Sequence, residues 1–140
     1  MGKADAPAGT QPQIRDFIDL NTWKMARALR ASIYKVCKRF PKDELFGLTS
    51  QIRRAAISIT ANIAEGYGRF SYQENVQFCR QSRGSVYELR DHLTTAFDAG
   101  YISSEDYRAL DEQAKNVLRM INGYIRATKK RKADLPAGKT

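Results

Sequence analysis

Between Trp23 and Lys42 the chain carries Lys24, Arg27, Arg30, Lys35, Lys38, Arg39 and Lys42, and no acidic residue interrupts them. At helical spacing Lys24, Arg27, Tyr34, Lys35 and Lys38 share one outer face, with Trp23 and Arg30 at its edge. Such a stripe suits one kind of chemistry. Its cations neutralise phosphates and release counterions, and its aromatic rings stack on bases of any identity. A second basic group, Lys129, Lys130, Arg131 and Lys132, lies near the C-terminus and is expected to act as a flexible arm in the same binding. The competing reading is a solvated helix face whose charges share one sign.

The other chemically capable residues make no catalytic arrangement. His92 is the single histidine, on the flank of a helical segment, with no Ser or Cys placed beside it in a recognisable motif. It reads as a boundary residue. Cys37 and Cys79 each fall within a helical pattern, far apart and at no zinc or redox spacing, which predicts two buried free thiols. Gly66 and Gly68 in the stretch GYGR have no strand before them and no Gly-Lys-Ser/Thr after them, so a helix stop explains them better than a phosphate loop. No enzyme activity, metal or cofactor is expected.

Four helices have to position these groups. The length of 140 residues fits one domain, and the net charge of +9 favours polyanionic partners. Breakers fall at Pro41, at Gly66 with Gly68, and at Gly100, with no strand alternation between them. The first helix is expected from Asn21 to Phe40, ended by Pro41. The second is expected from Leu45 to Glu65, with Gly66 in the left-handed cap position. The third opens on Ser71, in a capping box with Glu74, and closes at Gly100. The fourth starts at Ser103 or Ser104, with Glu105 and Asp106 favourably placed in its first turn. Similar lengths and short connections predict an all-α, antiparallel up-down-up-down four-helix bundle over residues 14 to 128. Residues 1 to 13 and 129 to 140, rich in Gly, Pro or charge, are expected to be disordered tails. The absence of a bilayer-length apolar run or a secretory signal predicts a cytoplasmic protein.

The second helix poses a separate question. Leu48, Ile52, Ala55, Ala56, Ile59 and Ile63 form its core stripe, yet Arg54, Ile57, Ala61, Ala64 and Glu65 on the opposite side carry too little charge for an ordinary solvated face. That side is the expected contact with another copy of the chain. The alternative is a mixed surface with one isolated isoleucine. Glu65 opposes the helix macrodipole and calls for a partner, either Arg69 or an Arg of another chain. Gly84 lies in the third helix on the side away from the core, where either a neighbouring backbone approaches it or the glycine is a product of neutral drift.

The stretches DLNTWKMARALRASIYKVCKRFPKDE (19 to 44), FGLTSQIRRAAISITANIAEGYGR (46 to 69) and GSVYEL (84 to 89) resemble the bacterial four helix bundle protein family. That family is also called the 23S rRNA intervening-sequence protein family, because some members are encoded within sequences interrupting ribosomal RNA genes. The resemblance covers about residues 14 to 127 and leaves both tails outside. It implies a ring-like homopentamer and kinship with accessory proteins of diversity-generating retroelements, which pair with a reverse transcriptase and bind nucleic acid. It implies no catalytic residue. Many relatives have proline where Thr60 stands, so any kink that proline imposes is in question here. The functional expectation is a non-enzymatic oligomer that binds RNA or DNA, as an accessory factor to ribosomal RNA or to an RNA-processing partner; the alternative is a protein-interaction scaffold for an acidic partner.

Overall fold

In a computed structural model, which describes residues 13–133, the chain enters its first helix through a short capped turn. Asp16 and Asp19 form a capping box around the 3-10 turn Phe17–Asp19, and this sets the Phe17 ring edge-on to Trp23 at 5.1 Å. Helix α1 spans Asn21–Cys37. It ends three residues before the expected Phe40, because Arg39 and Phe40 donate to the carbonyls of Val36 and Cys37 and tighten the chain ahead of Pro41. A second 3-10 turn, Lys42–Glu44, precedes the expected start at Leu45 and delays the second helix to Leu48, whose N–H donates to the Glu44 carboxylate. Helix α2 therefore spans Leu48–Tyr67, continuous through Thr60.

Gly66 does not take the expected cap conformation. It is buried within α2, and only Gly100 has a positive φ among the described residues. Its role is close approach: a Cβ there would lie 2.9 Å from both Asn75 Oδ1 and Phe78 Cβ, and 3.0 Å from the Asn75 carbonyl. Helix α3 spans Tyr72–Asp98, and the Ser71 hydroxyl accepts from Glu74 N–H at 3.1 Å at its start. At its end Gly100, with φ +80°, allows Tyr101 and Gly100 to donate to Ala96 and Phe97. This is a Schellman closure, which satisfies carbonyls the helix leaves open.

Helix α4 opens with the Ser103 hydroxyl accepting from Asp106 N–H and spans Ser104–Ala133. It passes the expected boundary at 128. Thr128 is fully buried, so the core stripe that includes Ile121 and Ile125 continues one turn further and orders Lys129 to Lys132 as helix. The expectations for residues 1 to 12 and 134 to 140 lie outside the described residues.

Side-chain pairs give the direction of each neighbour. Ser82 donates to the Ile59 carbonyl and Arg54 reaches Glu88, so α3 runs back along α2. Arg83 with Asn122 and Arg90 with Asp111 set α4 against α3 in the same sense. Arg39 with Asp106, and Arg30 with Thr60, bring α4 and α2 antiparallel to α1. Each helix packs on its sequence neighbours and α4 closes onto α1, which makes an up-down-up-down bundle. Leu29, Ile33, Ile52, Ile59, Ile63, Leu89, Leu93 and Ile121 fill its centre, each contributing about 1.5–3 kcal/mol by burial.

Candidate nucleic-acid interface

The antiparallel packing turns one side of α1 to α2, another to α4, and leaves a strip between them in solvent. Lys24, Arg27, Lys35 and Lys38 stand exposed on that strip. At 1.5 Å per residue, Lys24 and Lys38 are separated by about 21 Å along the helix. None of the four has an ion-pair partner among the described residues. Arg39, the neighbouring cation on the α4 side, pairs with Asp106 at 3.0 Å.

The residues at the edge of the stripe behave differently. Trp23 is 8% exposed and packed among Phe17 and core side chains, with the Arg27 guanidinium 5.5 Å from its ring centre. Its expected role as a base-stacking ring is therefore corrected. The segment before α1 folds Phe17 back onto the indole, which a wheel of α1 alone does not reveal. Arg30 is half-buried and donates to the Thr60 hydroxyl at 3.0 Å, so it bridges α1 and α2. Tyr34 is exposed, but the Arg53 guanidinium lies 5.1 Å from its ring centre. One face of the ring is thus covered.

The second basic group is helical. Lys129, Lys130, Arg131 and Lys132 are exposed on the last turns of α4. Arg131 donates to Thr128 Oγ1 and lies 5.8 Å and 6.0 Å from the Tyr72 and Tyr124 rings, which fixes it against α3. Two cations that sequence reasoning passed over join these groups: Arg53 beside Tyr34, and Arg80 of α3, which lines a concavity together with Lys129 and Lys132. Neither had a signal in its own segment. Both become relevant only through the packing of one helix on another.

The expected contact face of α2 is also mixed in its behaviour. Ile57 is 44% exposed and Ala61 is open, whereas Ala64 is half-buried. Arg54 pairs with Glu88 at 2.7 Å, and Glu65 finds its partner locally in Arg69 at 2.9 Å. Phe46 and Phe70, just outside the two ends of α2, are each 92% exposed and were not singled out in the sequence.

Among the described residues, the remaining titratable groups gather in no recognisable reaction centre. Burial pushes the Cys79 thiol up to about 11. Burial also raises Cys37, against the opposing charge and hydrogen bond of Arg53. Both thiols are free and buried, as their spacing suggested. His92 is half-buried, and its Nε2 has no hydrogen-bond partner among the described residues. Asp111 is opposed by burial but held below the usual carboxylate range by Arg90 and then Lys115. It braces α3 against α4. No cluster of metal-ligating side chains occurs among the described residues, and no described helix is long and apolar enough to cross a membrane.

The fold and surface define an all-helical bundle with an unpaired cationic strip on its first helix. The model of the 23S rRNA-intervening sequence protein family matches residues 18–123, and the chain belongs to that family. A crystal structure of a protein of unknown function from the S23 ribosomal protein family of Bacteroides thetaiotaomicron VPI-5482 has the same fold. The TM-score is 0.69 at 19% identity, over 74% of this chain and 97% of that one. No curated protein matches the chain.

Proposed function

We propose that the protein is a non-enzymatic, cytoplasmic oligomer that binds RNA or DNA through the exposed strip of α1. The observation that carries this reading is the set Lys24, Arg27, Lys35 and Lys38, aligned in solvent and without carboxylate partners. Unpaired cations in a row attract a polyanion and gain from counterion release, with little dependence on base identity. The proposed assembly is a homopentamer joined near the outer side of α2, and it repeats the strip in every subunit. Modest attraction at one strip becomes avidity when a single strand spans several. The family name supports a link to ribosomal RNA genes and is compatible with RNA as the ligand.

The test compares binding of an RNA and a DNA strand by the parent and by a variant carrying Lys24→Glu, Arg27→Glu, Lys35→Glu and Lys38→Glu, across a salt series. The parent should weaken steeply with salt, and each lost phosphate contact should reduce the logarithmic slope by roughly one unit. If a folded, oligomeric variant binds as tightly as the parent at every salt concentration, the strip is a solvated face. An acidic protein would then be the better partner.

A further inference from the structure

Near the C-terminal end of α4, three cations surround one cavity. Arg80 from α3 and Lys129 and Lys132 from α4 line a concavity of about 220 Å³ with Tyr72, Gln73 and Val76. Val76 is buried and belongs to its floor, while Tyr72 is held by the neighbouring Arg131 at 5.8 Å. Five arginines, Arg39, Arg54, Arg69, Arg90 and Arg119, meet carboxylates, and Arg30 and Arg83 are held by neutral side chains. Arg80, Lys129 and Lys132 have neither an ion pair nor a hydrogen bond among the described residues. No carboxylate lines this cavity, and Glu74 lines only the adjoining concavity that shares Gln73 and Arg80. Three like charges converging on a recess repel one another unless an anion joins them.

We propose that this recess seats the terminal phosphate of a nucleic-acid strand, an inference that rests on the reading of the protein as a nucleic-acid binder. A terminal monoester carries about 1.5 to 2 negative charges near neutral pH, against one for a backbone diester. It therefore matches three converging cations better. The Gln73 amide and Tyr72 hydroxyl add donors for phosphate oxygens. The α1 strip is a line open along its length and accommodates a continuing strand, whereas the recess is a point where a strand ends. Lys129 and Lys132 lie beyond the matched family region.

The experiment measures binding of one oligonucleotide in three forms, 5′-phosphorylated, 3′-phosphorylated and unphosphorylated, by the full chain. It adds Arg80→Ala with Lys132→Ala, the four-residue α1 charge reversal, and a phosphoserine peptide as competitor. One phosphorylated form should bind about tenfold tighter than the unphosphorylated strand, the gain of a charge-assisted hydrogen bond. That preference should fade below about pH 6, as the monoester takes up a proton. The Arg80/Lys132 variant should lose the preference and bind all three forms alike. Equal binding of all three forms by the parent would overturn the proposal while leaving the α1 reading intact. So would a preference the variant retains, or stronger binding of the phosphopeptide than of the phosphorylated strand. If the α1-reversed protein still prefers a phosphorylated end with parental affinity, the recess stands and the α1 reading falls; if no strand binds, both fall.

Discussion

Arg30 Nη1 lies 3.0 Å from Thr60 Oγ1, and the same hydroxyl donates to the Ile57 carbonyl, also at 3.0 Å. One chain of hydrogen bonds thus ties the guanidinium of α1 to the backbone of α2. It also changes the meaning of Arg30, which sequence placed at the edge of a phosphate-binding stripe. A guanidinium already fixed between helices has less freedom to follow a strand than the unpaired Lys24 or Lys38.

Arg30→Ala should therefore act mainly on stability, costing about 1 kcal/mol for the lost interhelical bond. Its effect on the salt slope of nucleic-acid binding should be smaller than that of Lys38→Ala. Urea denaturation and a paired salt series check both halves. A full unit of lost slope with unchanged stability would return Arg30 to the binding surface.

Gly66 and Gly84 should respond oppositely to alanine. A Cβ at Gly66 meets Asn75 and Phe78 at 2.9 Å, and those atoms belong to a neighbouring helix held by further bonds, so overpacking should destabilise by about 1–3 kcal/mol. Gly84 has nothing within 4 Å of such an atom, and alanine there should stabilise the isolated subunit by up to about 1 kcal/mol through helix propensity. Thermal unfolding distinguishes the two. If Gly84→Ala instead weakens self-association, a second copy approaches that backbone.

The bundle was legible because its helices are amphipathic and punctuated. Ile52, Ile59 and Ile63 repeat at core spacing, Ser71 and Ser103 cap, and Gly100 closes α3 with the one positive φ among the described residues. What escaped depends on pairs of elements. Gly66 is read as a helix stop until α3 is laid against it, and Trp23 is read as an edge aromatic until Phe17 folds onto it. Composition suggested a tail from Lys129, but buried Thr128 extends the core stripe past that point. The recess around Arg80 was invisible for the same reason, since its cations come from helices about 50 residues apart in sequence.

Cys79 should give the folded chain a defined sensitivity to alkali. Burial raises its thiol from 9.0 to about 11, so on unfolding it sheds its proton at lower pH than it does in the bundle. Its contribution to stability is complete below pH 9 and is lost as pH rises through 11. The stability advantage of the parent over Cys79→Ala should accordingly shrink across that interval, measured by denaturant titration at successive pH values. Alkylation of the native protein at pH 8 should be slow and should become fast in urea. Rapid native labelling of Cys79 would contradict its burial.

The outer side of α2 should govern assembly. Ile57 is 44% exposed between Ala61 and the groove formed with Arg30, Ala31 and Tyr34, and removing its apolar surface costs a lone subunit little. Phe46 and Phe70, open at the two ends of the same helix, extend the apolar surface beyond it. If copies meet there, Ile57→Arg buries an unpaired charge in each contact and should weaken association by about tenfold or more per contact. Phe46→Ser and Phe70→Ser should reduce it further, with helicity unchanged because neither side chain packs on the core. Light scattering at micromolar concentration should give several subunits for the parent and a shift towards one for the variants. A parent that is monomeric under those conditions, or an Ile57→Arg variant of unaltered mass, would remove the oligomer from the proposal and with it the avidity argument for the α1 strip.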